Sequence, residues 1–479
     1  MSNINWMQFG KLFYPSNLVS HMLYNALKPI VYTAVHIFYK NVEIAHRERL
    51  NMPGPTLIVS NHNNAFLDAL VVDIFARPKI YSIARGDVFK RPAIAWLLKK
   101  VGVIPIFRLS EGKDQMYKNE ETFERCVELL GQKQHIIMYP EGDCVTEKRL
   151  RKLRKGSARI VLRAEAEHDF KLGVKVLPVG LNYSAAKNFR SSLFIQVGEP
   201  IYINAYQQQN VIDPVKTVNT LTNHIEKEMR LLIVDLHHKG DDRFYEDLLT
   251  VYKPVLMQKK GLNAYNLLHD YEANKEIAQA VNYFGNHHTP NQDTFKQKIH
   301  QYVNTLSQLG ITEQVFAKEH TQSPSMFTVI MERFLLGFGL PLHLAGIAFN
   351  YLPYRLAYNT ADTKVKQVHF HASVNFVVGM FGWIFYYLFQ LLLIRLYFDV
   401  KIVALMAVLI PASGYYSLQY YSRMKKAMAR WRYFSLWQNN EDGVRKLAQR
   451  RTEIIQEAER LISARKEEKE LIASENNQE

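Results

Sequence analysis

Three runs without Asp, Glu, Lys or Arg, at residues 334–353, 375–394 and 402–418, constrain this chain more than any other feature. Runs of roughly 17 to 25 such residues qualify as helices that cross the hydrocarbon core of a bilayer. The second run is the strongest candidate and the third sits at the short limit. Only residues 395–401 separate them, which predicts a tight transmembrane hairpin. The first run holds His343, Pro341 and several glycines, so it is expected to lie in the interface or re-enter. Arg423, Lys425, Lys426, Arg430 and Arg432 follow the third run with no acidic residue among them. Such a bias places that end in the cytoplasm, and a two-span hairpin returns the chain to the side it left. The expectation is an integral membrane protein whose other domains face the cytoplasm.

Upstream, residues 41–204 alternate strand-like and helical runs. The strand candidates are 56–60, 79–84, 103–107, 135–139, 174–183 and 193–197, and amphipathic stretches such as 88–100, 116–130 and 157–166 lie between them. That alternation predicts an α/β domain, a central sheet flanked by helices, with its site on loops at strand ends. Residues 1–40 hold a helical run interrupted by Pro29 and studded with polar residues, which either lies in the membrane interface or packs on the protein's own core. The first fifteen or so residues lack the pattern of a signal peptide. Residues 205–325 read as a polar helical region without a catalytic pattern, 326–420 as the membrane region, and 421–479 as a charged helical tail, either solvated or paired with a partner.

A formal charge of +15 invites nucleic acid, an anionic membrane face or a phosphorylated substrate as partner. Lys148, Arg149, Arg151, Lys152, Arg154, Lys155 and Arg159 concentrate part of it, with leucines interleaved. This run suits anionic lipid headgroups, the phosphates of coenzyme A or the acidic surface of an acyl carrier protein. Nucleic acid is disfavoured, because none of the usual readers accompanies the run. Cys126 and Cys144 are the only cysteines, too few for a disulfide framework. The histidine pairs 237/238, 287/288 and 369/371 lack partner ligands at metal spacing, so no metal is expected.

One short connection concentrates the chemistry. Between the apolar run 56–59 and the helical run 66–75 stand Ser60, Asn61, His62, Asn63, Asn64, Ala65, Phe66, Leu67 and Asp68. An imidazole takes a proton from an alcohol at neutral pH, and a carboxylate on its other ring nitrogen fixes the tautomer and steadies the imidazolium. His62 and Asp68 therefore read as a general base and its orienting partner. The alternative is a satisfied loop histidine and an acid placed to suit a helix N-terminus.

Downstream come Gly102-Val103-Ile104-Pro105-Ile106-Phe107-Arg108, then Tyr139-Pro140-Glu141-Gly142-Asp143, then Val176-Leu177-Pro178-Val179. With the Asn-His…Asp block these resemble, in the same order, the four motifs of the glycerophospholipid acyltransferase superfamily (PlsC-like). Five residues separate His62 from Asp68, where most of that family has four. The longer spacing resembles the branch of fungal-type glycerol-3-phosphate and dihydroxyacetone-phosphate acyltransferases. It also leaves open whether Asp68, Asn63 or Asn64 orients the imidazole.

The resemblance implies a membrane-bound O-acyltransferase of phosphatidic acid and phospholipid biosynthesis. His62 and Asp68 would be catalytic; Arg108, Glu141, Gly142 and Lys155 would bind the phosphorylated acceptor, and Pro178 would lie near the acyl chain. A carboxylate does not attract phosphate, so Glu141 is expected on an acceptor hydroxyl or positioning Arg108. The acyl donor would be acyl-CoA or acyl-ACP, with no other cofactor, and residues 1–40 would contact the membrane. The acceptor is expected to be glycerol 3-phosphate or dihydroxyacetone phosphate, with lysophosphatidic acid as the alternative. A non-catalytic membrane scaffold is the competing reading from another class.

Overall fold

The structure, a computed structural model, describes residues 18–106, 117–287, 292–319 and 325–476. It divides into two compact units, Met1–Val234 with Val365–Ser373, and Asp235–Lys364 with Val374–Glu479.

The first unit runs α1 (Leu18–Phe38), β1 (Asn41–Ala45), β2 (Thr56–Ser60), α2 (Phe66–Asp73), β3 (Ile80–Arg85), α3 (Pro92–Val101), β4 (Val103–Ile106), α4 (Tyr117–Gly131), β5 (His135–Met138), α5 (Gly156–Ala166), β6 (Lys175–Tyr183), β7 (Ser192–Val197), β8 (Ile201–Tyr202), α6 (Gln207–Ile212) and α7 (Pro214–Leu231). The strands form one mixed sheet in the order β1-β7-β6-β2-β5-β3-β4, with β8 also on β6. Pairing is parallel except where β7 and β8 meet β6. The α/β domain expected from the alternating runs is therefore present. β2 is central and buried at all five residues, as suits an apolar strand covered on both faces.

On one face Leu57, Val59, Ile136, Met138 and Val176 join a core with residues of α4, α5 and α7. Asp213 caps α7 by accepting the Lys216 N–H at 2.9 Å, and Pro214 opens the helix where no N–H is needed. Leu221, Ile225 and Met229, at helical spacing, enter that same core. The first unit consequently extends to Val234, past the boundary at 204 expected from composition, because the apolar stripe of α7 belongs to the sheet.

His135 opens β5 opposite Thr56 and Ile80, and its Nδ1 is buried with no hydrogen-bond partner among the described residues. Burial, reinforced by the Lys175 charge, lowers its pKa from 6.5 to about 4. The unfolded chain takes up a proton there as pH falls through 6.5, whereas the folded chain resists until about 4. Stability at this position is thus full above that window and is lost as pH falls through it. The thermal midpoint of the detergent-purified protein is expected to drop across this interval, and His135→Gln should flatten the slope. An identical slope in the variant would exclude His135 as its source.

The second unit runs α8 (Asp242–Val251), α9 (Lys253–Lys259), α10 (Leu267–Asn286), α11 (Gln292–Leu309), α12 (Glu313–Glu319), α13 (Met326–Lys364), α14 (His371–Tyr397, from Val374 on), α15 (Val400–Asn439) and α16 (Glu441–Asn476). The charged tail is not a solvated helix along its whole length. Val444, Leu447, Ile454 and Ala458 of α16 are buried, and Arg451 Nε bonds Glu313 Oε1 at 2.6 Å while Tyr302 donates to Glu313 Oε2 at 2.6 Å.

The three uncharged runs lie in α13, α14 and α15, each long and apolar enough to cross a membrane. Gly339 and Gly346 of the first run are contact points rather than helix breaks. A Cβ on Gly346 would come within 2.3 Å of the Ser413 carbonyl oxygen, so only glycine lets α13 lie this close to α15. Asn350 marks a change of direction: its side chain donates to the Ile410 carbonyl at 3.1 Å and accepts from Trp383 Nε1 at 3.1 Å. The N-terminal arm of α13 then follows α15, with His343 Nδ1 2.8 Å from Ser417 Oγ and Glu332 paired to Arg430. The C-terminal arm follows α14 instead, with Ala357 beside Gly379. Both arms lead away from the turn at Asp399 that joins α14 to α15, and Pro353 lies in the bend region.

Candidate active site

The loop after β2 is anchored before it turns. Asn61 donates from Nδ2 to the Leu181 carbonyl at 3.0 Å, and its Oδ1 accepts the Leu181 N–H at 2.8 Å. One side chain thus makes both contacts that a further rung of the β2–β6 ladder would make. His62 follows immediately.

His62 Nδ1 lies 2.9 Å from Asp68 Oδ2. That oxygen also accepts the N–H groups of Asn63 and Asn64 at 2.9 and 2.8 Å, and Oδ1 accepts the Tyr183 hydroxyl at 2.7 Å. Asp68 is fully buried, whereas the His62 side chain is 16% exposed. An ionised carboxylate only accepts, so Nδ1 carries the imidazole proton and Nε2 presents its lone pair outward. The Tyr139 ring stacks on the imidazole at 4.0 Å and 13°, which fixes the ring plane. Asp68, rather than Asn63 or Asn64, holds the imidazole of His62.

Between His62 and Asp68 the chain turns at Ala65, whose backbone sits at φ 50°, ψ −130°. This conformation is costly for any residue with a Cβ and persists only where the surroundings enforce it. The Ala65 N–H reaches Cys144 Sγ at 3.1 Å, and Asn64 Nδ2 donates to the Tyr39 hydroxyl and to the Ala186 carbonyl at 3.1 and 2.7 Å.

The turn after β5 sits against the same loop. Glu141 is buried; its Oε1 accepts the His62 N–H at 3.0 Å and its Oε2 accepts Arg151 Nε at 2.9 Å. Burial raises the Glu141 pKa, while Arg151 and the two backbone N–H groups hold it down. Its observed partners are therefore the backbone of His62 and Arg151. Gly142 adopts φ 77°, which lets the chain reverse while the Gly142 N–H bonds the Tyr139 carbonyl at 3.0 Å. Arg151 also donates to the Asp143 carbonyl, and Lys155 is exposed just before α5.

Pro178 lies opposite Val59 in β6. The far neighbour of β6 changes there, from β8 at Val176 to β7 at Val179, so the missing N–H of a proline interrupts no ladder bond. Arg108 falls outside the described residues. Reading the sequence did not single out Asn61, Tyr139, Tyr183 or Arg151. Asn61 and Tyr139 stand inside the recognised blocks without an assigned role, Arg151 is one charge of the basic run, and no local signal marks Tyr183.

His62, Asp68 and Cys144 bring possible ligand atoms within 4.8 Å of one another. Nδ1 and the Asp68 oxygens are already engaged with each other and with backbone donors, and burial raises the Cys144 thiol pKa. Cys126, also buried, is pushed up to about 12. Neither thiol is expected to react with iodoacetamide at pH 8 in the folded protein, and both should react once denaturant is added. Labelling of either in the native state, followed by mass spectrometry, would contradict the burial described.

The family model described as Acyltransferase matches residues 41–182. The chain is 29% identical over 150 residues to the chloroplastic 1-acyl-sn-glycerol-3-phosphate acyltransferase LPAT1 of Arabidopsis thaliana, covering 31% of this chain and 37% of that protein. It is 31% identical over 112 residues to glycerol-3-phosphate O-acyltransferase 2 of Saccharomyces cerevisiae, covering 23% of this chain and 15% of that one. The crystal structure of the 1-acyl-sn-glycerophosphate acyltransferase PlsC from Thermotoga maritima aligns with a TM-score of 0.34 at 16% identity, over 47% of this chain and 85% of that one. The matches thus span well under half the length of these curated relatives. The two turns that meet at His62 both lie inside residues 41–182, the stretch that matches the Acyltransferase family model.

Proposed function

We propose that the protein transfers a fatty acyl group from a thioester donor to a hydroxyl of glycerol 3-phosphate or dihydroxyacetone phosphate. The observation that carries this reading is the 2.9 Å bond from His62 Nδ1 to buried Asp68, which leaves Nε2 for a substrate proton. Nε2 takes the hydroxyl proton as the oxygen attacks the thioester carbonyl; the C–S bond breaks and the thiolate leaves, to be protonated by the imidazolium. A thiolate is a good enough leaving group that neither a metal nor a covalent enzyme intermediate is required.

Arg108 and Lys155 are assigned the acceptor's phosphate, and the Gly142 turn the backbone surface against which it rests. Glu141 contributes by holding the His62 backbone and Arg151. Pro178 is assigned to the acyl side of the site. Lysophosphatidic acid is the second acceptor to test, because the match to the Arabidopsis lysophosphatidic acid enzyme is longer than that to the yeast glycerol-3-phosphate enzyme. Labelled oleoyl-CoA with each of the three acceptors, repeated with acyl-ACP, decides the matter. Product that disappears in His62→Ala supports the reading; absence of product in every combination removes it in favour of a membrane scaffold.

The same reading puts the catalytic domain on the cytoplasmic face, with anionic lipids meeting the basic run. Residues before Val234 and those of Val365–Ser373 share one compact unit, and both arms of α13 leave the Asp399 turn behind, which suits a helix that re-enters on one side. A cysteine at Lys366 is expected to label from the cytoplasmic side of sealed vesicles and one at Asp399 from the other. Labelling of Lys366→Cys only from the outside would sink this topology.

A further inference from the structure

Ser373 belongs to the first unit and stands at the start of α14, where the chain enters its most apolar run. It is fully buried. Its hydroxyl donates to the Asn64 carbonyl at 2.6 Å and accepts the Leu67 N–H at 3.3 Å. Those two groups flank Ala65 and Phe66, so a single oxygen, more than 300 positions away in sequence, bridges the costly turn at Ala65.

The geometry assigns Ser373 as a positioning residue for the His62–Asp68 pair. Asp68 reaches the imidazole only because the chain folds back at Ala65, and the first turn of α2 starts directly after it. The intrinsic preference of an alanine opposes that backbone. Cys144 Sγ, a weak acceptor, holds the Ala65 N–H, and the Leu67 N–H also reaches the Asn64 carbonyl at 3.1 Å. Ser373 is the hydroxyl that ties both ends of the turn together. Without it the turn relaxes toward ordinary torsions, and Asp68 loses register with Nδ1 while the sheet beneath is unaffected. The first helical turn before an apolar run thereby acts as a staple on the catalytic loop.

This inference rests on His62 being the base of the proposed reaction, so two independent readouts are required. Using the full chain in detergent or nanodiscs, Ser373→Ala is expected to lower kcat by about tenfold with KM for the acceptor unchanged, since a small misplacement of a catalytic group acts on the rate step. Ser373→Thr, which keeps the hydroxyl, restores most of it. Hydrogen exchange followed by mass spectrometry should show faster exchange in Ser373→Ala for peptides covering residues 63–70, and no change for peptides of β2 or β6. Unchanged kcat together with unchanged exchange at residues 63–70 overturns the assignment. So does a rise in exchange spread over the whole sheet, which would make Ser373 a general packing residue. If no acceptor supports turnover in the wild type, the proposed function fails, but the exchange experiment still tests the staple.

Discussion

His62→Ala lowers kcat with the best acceptor by about 10³-fold, within the range that a positioned general base supplies, while acceptor KM moves little. In the proposed reaction the imidazole is the group that meets the reacting hydroxyl, and no described neighbour can take its place. Asp68 is engaged by four donors, Glu141 is salt-bridged to Arg151, and Tyr139 and Cys144 have pKa values raised by burial, so they do not ionise near neutrality. His62→Gln retains a polar side chain of similar reach and should be as inactive, because an amide does not accept the proton. Single-turnover measurements with labelled acyl donor separate this loss of chemistry from a loss of binding. Residual turnover within a factor of about ten of wild type would show that the proton leaves by another route.

Asp68 offers the second large effect, and two substitutions should part company. Asp68→Asn can keep its carbonyl oxygen where Oδ2 now accepts from Nδ1, Asn63 and Asn64, and turn its amide toward Tyr183, whose hydroxyl then accepts. The fold and the tautomer survive, the charge is lost, and kcat is expected to fall by about 10²-fold. Asp68→Ala strips all four donors in a buried site, at about 1–3 kcal/mol for each that stays unsatisfied. It should lose more than about 10³-fold in kcat and also lower the thermal midpoint by several degrees. Equal activity in the two variants would mean that the negative charge, and not the hydrogen-bond network, is what His62 needs.

How far the sequence led follows from the range of the interactions concerned. β2, β5 and β6 were legible because each is a short apolar run bounded by turn residues, and the His62 and Glu141 turns because their residue types stand next to those runs. The partner of the imidazole stayed undecided among Asp68, Asn63 and Asn64, since the choice depends on the torsion at Ala65, which composition does not encode. Tyr183 and Ser373 were invisible for a different reason: each reaches the loop across more than a hundred positions, through sheet register or chain return. Arg151 was noticed as one charge among many in a basic run; its pairing with Glu141 is a property of the turn between them. Along α16, Val444, Leu447, Ile454 and Ala458 follow helical spacing, but abundant charges concealed the stripe until α16 was seen to be partly buried.

The amide of Asn61 has a mechanical consequence. It continues the hydrogen-bonding of the central strand for one more step while the main chain is already free to leave the plane of the sheet. The lever between the stiffest part of the domain and the imidazole is then a single peptide link, so the ring inherits the small thermal displacement of a buried strand rather than that of a loop. An aspartate at this position could still accept from Leu181 but has nothing to donate to its carbonyl. That change would lengthen the lever without touching any group that meets the substrate.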